Sequence, residues 1–137
     1  MSKKNFLVDF DLYLCERYGY KDSISVHETM NGCCLGVRER DVKLYIRLWD
    51  YSCGAGGFPD KCIILVDCEF SQNQEENTKD LINFFQEYGS IYGFQNLGFE
   101  WDKYGLARKL GLKCVHVNDK CNFIMNYYSG LLSDIAV

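Results

Sequence analysis

Apolar and polar residues in this chain follow two rhythms. Between residues 6 and 18, Leu7, Phe10, Leu14 and Tyr18 recur at steps of three and four. That spacing predicts an amphipathic helix, stopped near Gly19. From Val42 to Trp49 the step is two. Val42, Leu44, Ile46 and Leu48 point one way, and Lys43, Tyr45, Arg47 and Trp49 the other, as in a half-buried strand. Ser23 to Thr29 alternates weakly, Cys33 to Glu39 reads as a further strand, and Asp41 falls in the turn between strands. Lys61 to Phe70 begins KCIILV, apolar on both faces, which suits a central strand. Simple alternation puts Cys62, Ile64, Val66, Cys68 and Phe70 on one side of it. Ile63, Leu65, Asp67 and Glu69 fall on the other.

A polar loop, SQNQEEN, follows that strand. Asn77 is the expected helix cap, with Asp80 near the positive helix end. Leu81, Phe84, Phe85, Tyr88, Ile91 and Tyr92 form the predicted buried stripe, and Gly93 the stop. After the short run NLGFEW, Asp102 is placed to cap a shorter helix with Leu106, Ala107 and Leu110 on its apolar side and Gly111 at its end. CVHV and NFIMNYY, joined by NDKC, read as a hairpin. From Lys61 onward the order is therefore strand, helix, strand, helix, hairpin. No linker or repeat interrupts it, so residues 1–137 are expected to form one domain. The fold class is α/β (α+β in some schemes), a mixed, largely antiparallel central sheet flanked by helices.

Composition narrows the classes. With 137 residues, 47% apolar and 25% charged, the chain can bury a core, and its single proline and many aromatics argue against disorder. A net charge of −4 leaves no electrostatic footprint for nucleic acid. The start MSKKNF runs straight into VDFDLYLCERYG, with acids inside it, unlike a secretory leader. Apolar runs such as CIILV fall far short of the roughly 20 residues that span a bilayer. The expected setting is the cytoplasm, or the interior of a particle assembled there. In that setting the eight cysteines read as reduced, mostly small apolar core residues.

The order of elements resembles the GNAT-type N-acetyltransferase superfamily, best over Val42 to Tyr128 and loosely before that. ARKLGL, with Lys109, Leu110, Gly111 and Leu112, is similar to the end of the family's K-x-G-F segment. The run EF, a polar loop and a Leu-rich helix looks like its cofactor loop. The resemblance implies acetyl-CoA as cofactor, its pyrophosphate held by backbone N–H groups at a helix N-terminus. Gln72, Glu75, Asn77 and Thr78 then occupy the cofactor-loop region. The family's loop carries glycines there, and Ser71 to Asp80 has none. Glu75 and Glu76 add charge that opposes phosphate; two unit charges about 4 Å apart repel by roughly 4 kcal/mol at an interfacial dielectric near 20.

The catalytic end departs too. Ala107 stands where the resemblance implies an acidic tyrosine, and Tyr104, one turn earlier, is the nearest substitute. Tyr104 also fits a packing role between helix and sheet. Glu69 and Glu100, at neighbouring strand ends, are candidates for a general base. Other groupings compete weakly. Cys114, His116 and Cys121 spell C-x-H-x₄-C with ligand types that zinc accepts, although the spacing is not a standard knuckle. A cysteine nucleophile with His27 or His116 as base has no local signature. CGAGGF lacks P-loop spacing and reads as a flexible connection. Lys43, Tyr45, Arg47 and Trp49 present two cations and two aromatics on one strand face, suited to a base or peptide, or to packing with the charges reaching outward.

Two functions remain open on the sequence. One is a GNAT-like protein with a degenerate acyl-CoA site and no cofactor, serving as a binding or structural protein with a protein partner. Internal virion proteins of some short-tailed phages resemble this chain in size and element order. The other is an active N-acyltransferase moving an acetyl group from acetyl-CoA to an amine.

Overall fold

A computed structural model describes residues 3–117 and 125–137. Helix α1 is Lys3–Tyr18; strands β1, β2 and β3 are Ile24–Glu28, Gly32–Arg38 and Val42–Trp49. Strand β4 (Cys62–Phe70) leads into α2 (Gln74–Phe84), then β5 (Asn96–Phe99), α3 (Leu106–Lys109), β6 (Lys113–His116) and β7 (Tyr127–Leu131). The strands form one seven-stranded sheet in the order β1-β2-β3-β4-β5-β7-β6. Among the described strands only β4 and β5 run parallel; every other neighbouring pair is antiparallel. This is the mixed, largely antiparallel sheet flanked by helices that the order of elements implies.

One face of the sheet carries α1 and α2. Phe6, Phe10 and Leu14 of α1 and Leu81, Ile82 and Phe85 from α2 and its extension are buried against Leu35, Leu44, Ile46, Leu48, Ile63 and Leu65. Burial of this much aliphatic and aromatic surface is what fixes the layer order. After Phe84 the helix widens into a π-helical turn, Phe85–Gly89. Such a turn inserts an extra residue and shifts the phase of the residues beyond it. Ile91, expected in the buried stripe, is accordingly half-exposed at 49%.

Among the described residues, the opposite face is covered only in part. Residues 52–60 form an ordered loop rather than a flexible connection. The Ser52 hydroxyl donates to the Phe58 carbonyl (2.6 Å) and accepts from the Gly54 N–H (3.0 Å), and Asp60 accepts from the Ser52 N–H (2.7 Å). The loop drives Phe58 onto the sheet beside Trp49, Cys62 and Ile64. A Cβ on Gly98 would lie 2.6 Å from the Phe58 ring, so only glycine admits it there. Trp49 thus packs under this loop, not under a helix. Arg47 lies over its ring and ion-pairs with Glu100 at 2.8 Å.

Strand β4 departs from simple alternation. Its register against β3 jumps from Ile46↔Leu65 to Tyr45↔Asp67, leaving Val66 as an extra, bulged residue. A one-residue bulge moves every later side chain to the other face. Cys68 and Phe70 therefore join Ile63 and Leu65 under the helices, while Cys62, Ile64 and Val66 face the Phe58 loop.

Candidate functional site

The bulge lies next to the place where the sheet opens. Strand β5 pairs with β4 only over Cys62–Leu65, and the last bond between them is Glu100 N–H to the Leu65 carbonyl (3.0 Å). Beyond it, among the described residues, β4 continues on β3 alone. Open α/β sheets bind ligands at such a point, beyond the carboxyl ends of parallel strands that diverge. The cleft is lined by Cys68, Gln74, Thr78, Phe99, Trp101 and Tyr104, among others. It encloses about 30 Å³, room for a water or two and no more.

Gln74, the first residue of α2, fills the space. Its side-chain oxygen accepts from the Phe70 N–H (2.6 Å), and its Nε2 donates to the Cys68 carbonyl (2.8 Å). These two backbone groups lie on the side of β4 away from β3, because the alternate residues, at Lys43↔Glu69 and Asp41–Ser71, face β3. A single side-chain amide thus stands in for the missing neighbour strand. Thr78, 2% exposed, supports it: its hydroxyl donates to the Gln74 carbonyl (2.7 Å) and accepts from Gln74 Nε2 (3.3 Å). Removing the amide would strand buried backbone groups, which costs about 1–3 kcal/mol. Gln74→Ala is therefore expected to lose about 2 kcal/mol in a urea titration, whereas Gln72→Ala, at an exposed loop position, should lose almost nothing.

Two ion pairs close the rim. Lys103 meets Glu69 at 2.5 Å, and Lys109 reaches both Glu75 oxygens at 2.8 and 3.0 Å. Glu75 also meets Lys79, one helical turn along, at 3.3 Å. The hydrogen bond from Lys103 holds the Glu69 carboxyl below its ordinary pKa, and that from Lys109 does the same for Glu75. A carboxyl shifted down is a weaker base, which disfavours Glu69 for taking a proton from an amine.

The start of α2 differs from the expected one. The helix begins at Gln74, after a left-handed Asn73 (φ 54°), and not at Asn77. Asn77 lies inside the first turn; its N–H donates to the Asn73 carbonyl, and its side-chain amide to the Gln72 carbonyl (2.9 Å). Asn tolerates the left-handed region, so the SQN turn closes without a glycine. Glu75 and Glu76 occupy the first turn, where they complement the helix dipole themselves. Of the cofactor-loop candidates, Gln72 is an exposed loop residue, Glu75 is ion-paired, Asn77 braces the turn and Thr78 is buried. Gln74, which sequence reasoning passed over, is the residue that touches the strand.

Of the catalytic candidates, Tyr104 and Glu69 come together around Lys103, whereas Glu100 lies apart beside Arg47. Tyr104 is 55% exposed at the cleft mouth, under the Lys103 ammonium, so it does not pack the helix on the sheet. Glu100 is tied to Arg47 and Glu69 to Lys103, two separate pairs. The Cys114–His116 pair is split by a bulge: Cys114 lies opposite Tyr128 and His116 opposite Tyr127, which face different sides of the sheet. Cys121, the third member of that spacing, lies outside the described residues. Among the described residues, no three His, Cys, Asp or Glu side chains come together as a metal site. Cys33, Cys34 and Cys62 are core residues as expected, whereas Cys53 and Cys114 are exposed. No helix among the described residues is long and apolar enough to cross a membrane.

Comparison with known proteins adds distant likenesses. No family profile matches the chain, and no curated protein matches it. Among solved structures, a probable acetyltransferase from Staphylococcus epidermidis ATCC 12228 aligns with 15% identity and a TM-score of 0.47, over 72% of this chain and 67% of that one. A protein from Klebsiella pneumoniae subsp. pneumoniae MGH 78578, provisionally named an acyl-CoA N-acyltransferase, aligns with 8% identity and a TM-score of 0.47, over 92% and 85%. Likenesses this distant say nothing about activity.

Proposed function

We propose that this chain keeps a GNAT-like scaffold with a closed acyl-CoA cleft and works as a binding or structural protein with a protein partner. One observation carries the reading: the Gln74 amide occupies the Phe70 N–H and Cys68 carbonyl on the opened edge of β4. A pantetheine-like arm entering the cleft would need those groups and that space. The glycine-free turn and the Lys103–Glu69 and Lys109–Glu75 pairs support the same conclusion. The interior of a phage particle is a setting consistent with the resemblance.

The alternative, an N-acyltransferase using acetyl-CoA and an amine, draws on the bulge at Val66 and the divergence of β5, which shape an opening at the right end of the sheet. Thermal unfolding with acetyl-CoA separates the two. A ligand at 100 times its Kd stabilises by about 2.7 kcal/mol. The closed-cleft reading expects no rise in Tm at millimolar acetyl-CoA or CoA; a clear, saturable rise would favour the enzyme.

A further inference from the structure

Strand β1 is an edge of the sheet, and the phase of its backbone decides which of its groups are free. Thr29 and Gly32 exchange both their hydrogen bonds (2.9 and 3.4 Å) at the turn into β2. In an antiparallel pair that exchange recurs at every second residue. Ser25 and His27 therefore bond to Gly36 and Cys34. The N–H and C=O groups of Ile24, Val26 and Glu28 point the other way, and among the described residues nothing bonds to them. A row of unpaired groups on an edge is a template for another strand, and sheets that avoid such pairing carry lysine, proline or a bulge there. At the other end of the described sheet, β6 has a lysine, Lys113, and a bulge between Cys114 and His116. Strand β1, with the sequence ISVHE, has no lysine, no proline and an unbroken register against β2.

The side chains add a second observation. Ile24 and Val26 lie opposite Val37 and Leu35, which are buried in the core on the helix-bearing face. The apolar layer thus runs out to the edge and ends at Val26, still 42% exposed. We propose that β1 pairs with β1 of a second copy of this chain, antiparallel, about a two-fold axis at Val26. That register is self-complementary. Val26 meets Val26 of the second copy, Ile24 meets Glu28 and Ser25 meets His27, so no like charges stand opposite one another. The three outward residues of each strand make about six hydrogen bonds, and the two valines close the apolar layer across the joint. A left-handed Asp22 (φ 52°) and the Thr29–Gly32 turn bound the ladder. It is much smaller than the roughly 20–30 residues a side of a standard interface, so the dimer is weak, with a Kd on the order of 100 µM.

The test uses the full chain at two concentrations, about 10 µM and about 1 mM, chosen to bracket that Kd. Sedimentation equilibrium should show the average mass rising from one chain towards two. Amide hydrogen exchange should slow about five-fold at Ile24, Val26 and Glu28 between the two concentrations, and stay unchanged at Ser25 and His27, which β2 already holds. Val26→Pro removes an N–H that β2 does not use, and Val26→Lys sets two ammonium groups on the axis. Each should raise the Kd at least about ten-fold. The exchange pattern is read on the unaltered chain, so it decides the matter even where Val26→Pro fails to fold. A chain that stays monomeric at 1 mM would overturn the proposal and leave the edge to a strand of another protein. So would a dimer that leaves the Ile24, Val26 and Glu28 amides unprotected, or one indifferent to Val26→Lys.

Discussion

An Asp102→Ala protein is expected to unfold well below the wild-type urea midpoint, having lost about 3 kcal/mol. Asp102 is 2% exposed, yet its carboxylate has three donors. Oδ1 accepts from the Ala107 N–H (2.9 Å); Oδ2 accepts from the Arg108 N–H (3.2 Å) and Arg108 Nε (3.0 Å). Helix α3 has only four residues, and the residue before it, Gly105, offers no side chain to cap it. Asp102 therefore holds the whole α3 start from three residues back. Removing it leaves N–H groups buried without an acceptor, including that of Ala107, which is 0% exposed. The corresponding fall in Tm is about 10 °C for a domain of this size. A loss under about 1 kcal/mol would mean that α3 is held by packing of Leu106 and Ala107 alone.

The second large effect is expected at Gly32. A Cβ there would lie 1.9 Å from the Leu48 carbonyl oxygen, a backbone atom of the neighbouring strand. Gly32 pairs with Trp49 at the end of β2, so the clash cannot be relieved by turning a side chain. Gly32→Ala must spread β2 from β3 at the edge of the core and should lose roughly 4 kcal/mol or fail to fold. Gly93 provides the contrast. It also has positive φ (91°), but nothing lies within 4 Å of an added Cβ. Gly93→Ala should lose only about 1–2 kcal/mol, the left-handed penalty itself. Equal losses at the two positions, in matched denaturant titrations, would contradict the steric account.

Particular residues show how far the sequence reached. Strand β3 was legible to its ends because strict alternation reports a sheet with one buried face. Asp102 was legible as the acceptor for the α3 start, although the helix begins only at Leu106, after Gly105. The reversal of Cys68 and Phe70 was hidden, since a bulge at Val66 arises from pairing with β3, not from local composition. The start of α2 misled for a related reason. Capping preference favours Asn77, but tertiary bonds from Gln74 to β4 put the cap four residues earlier, at Asn73. Nothing local distinguishes Gln74 from Gln72. The Lys109–Glu75 and Lys103–Glu69 pairs join residues 34 positions apart, beyond any periodicity. Phe58 was missed because a glycine-rich loop reads as mobile until Ser52 is seen to organise it.

The cleft is the point on which function turns. Its entrance has the geometry of a ligand site, and its interior is taken by the protein's own amide. The most direct measurement is a ¹⁵N-resolved NMR titration with CoA, following the backbone amides of Phe70, Gln74 and Glu75. With Gln74 bound to the β4 edge, the Phe70 amide should stay unmoved up to millimolar CoA and remain protected from hydrogen exchange. Saturable movement of Phe70 together with Gln74 and Glu75 would mean that CoA displaces the amide, and the closed-cleft account would be wrong.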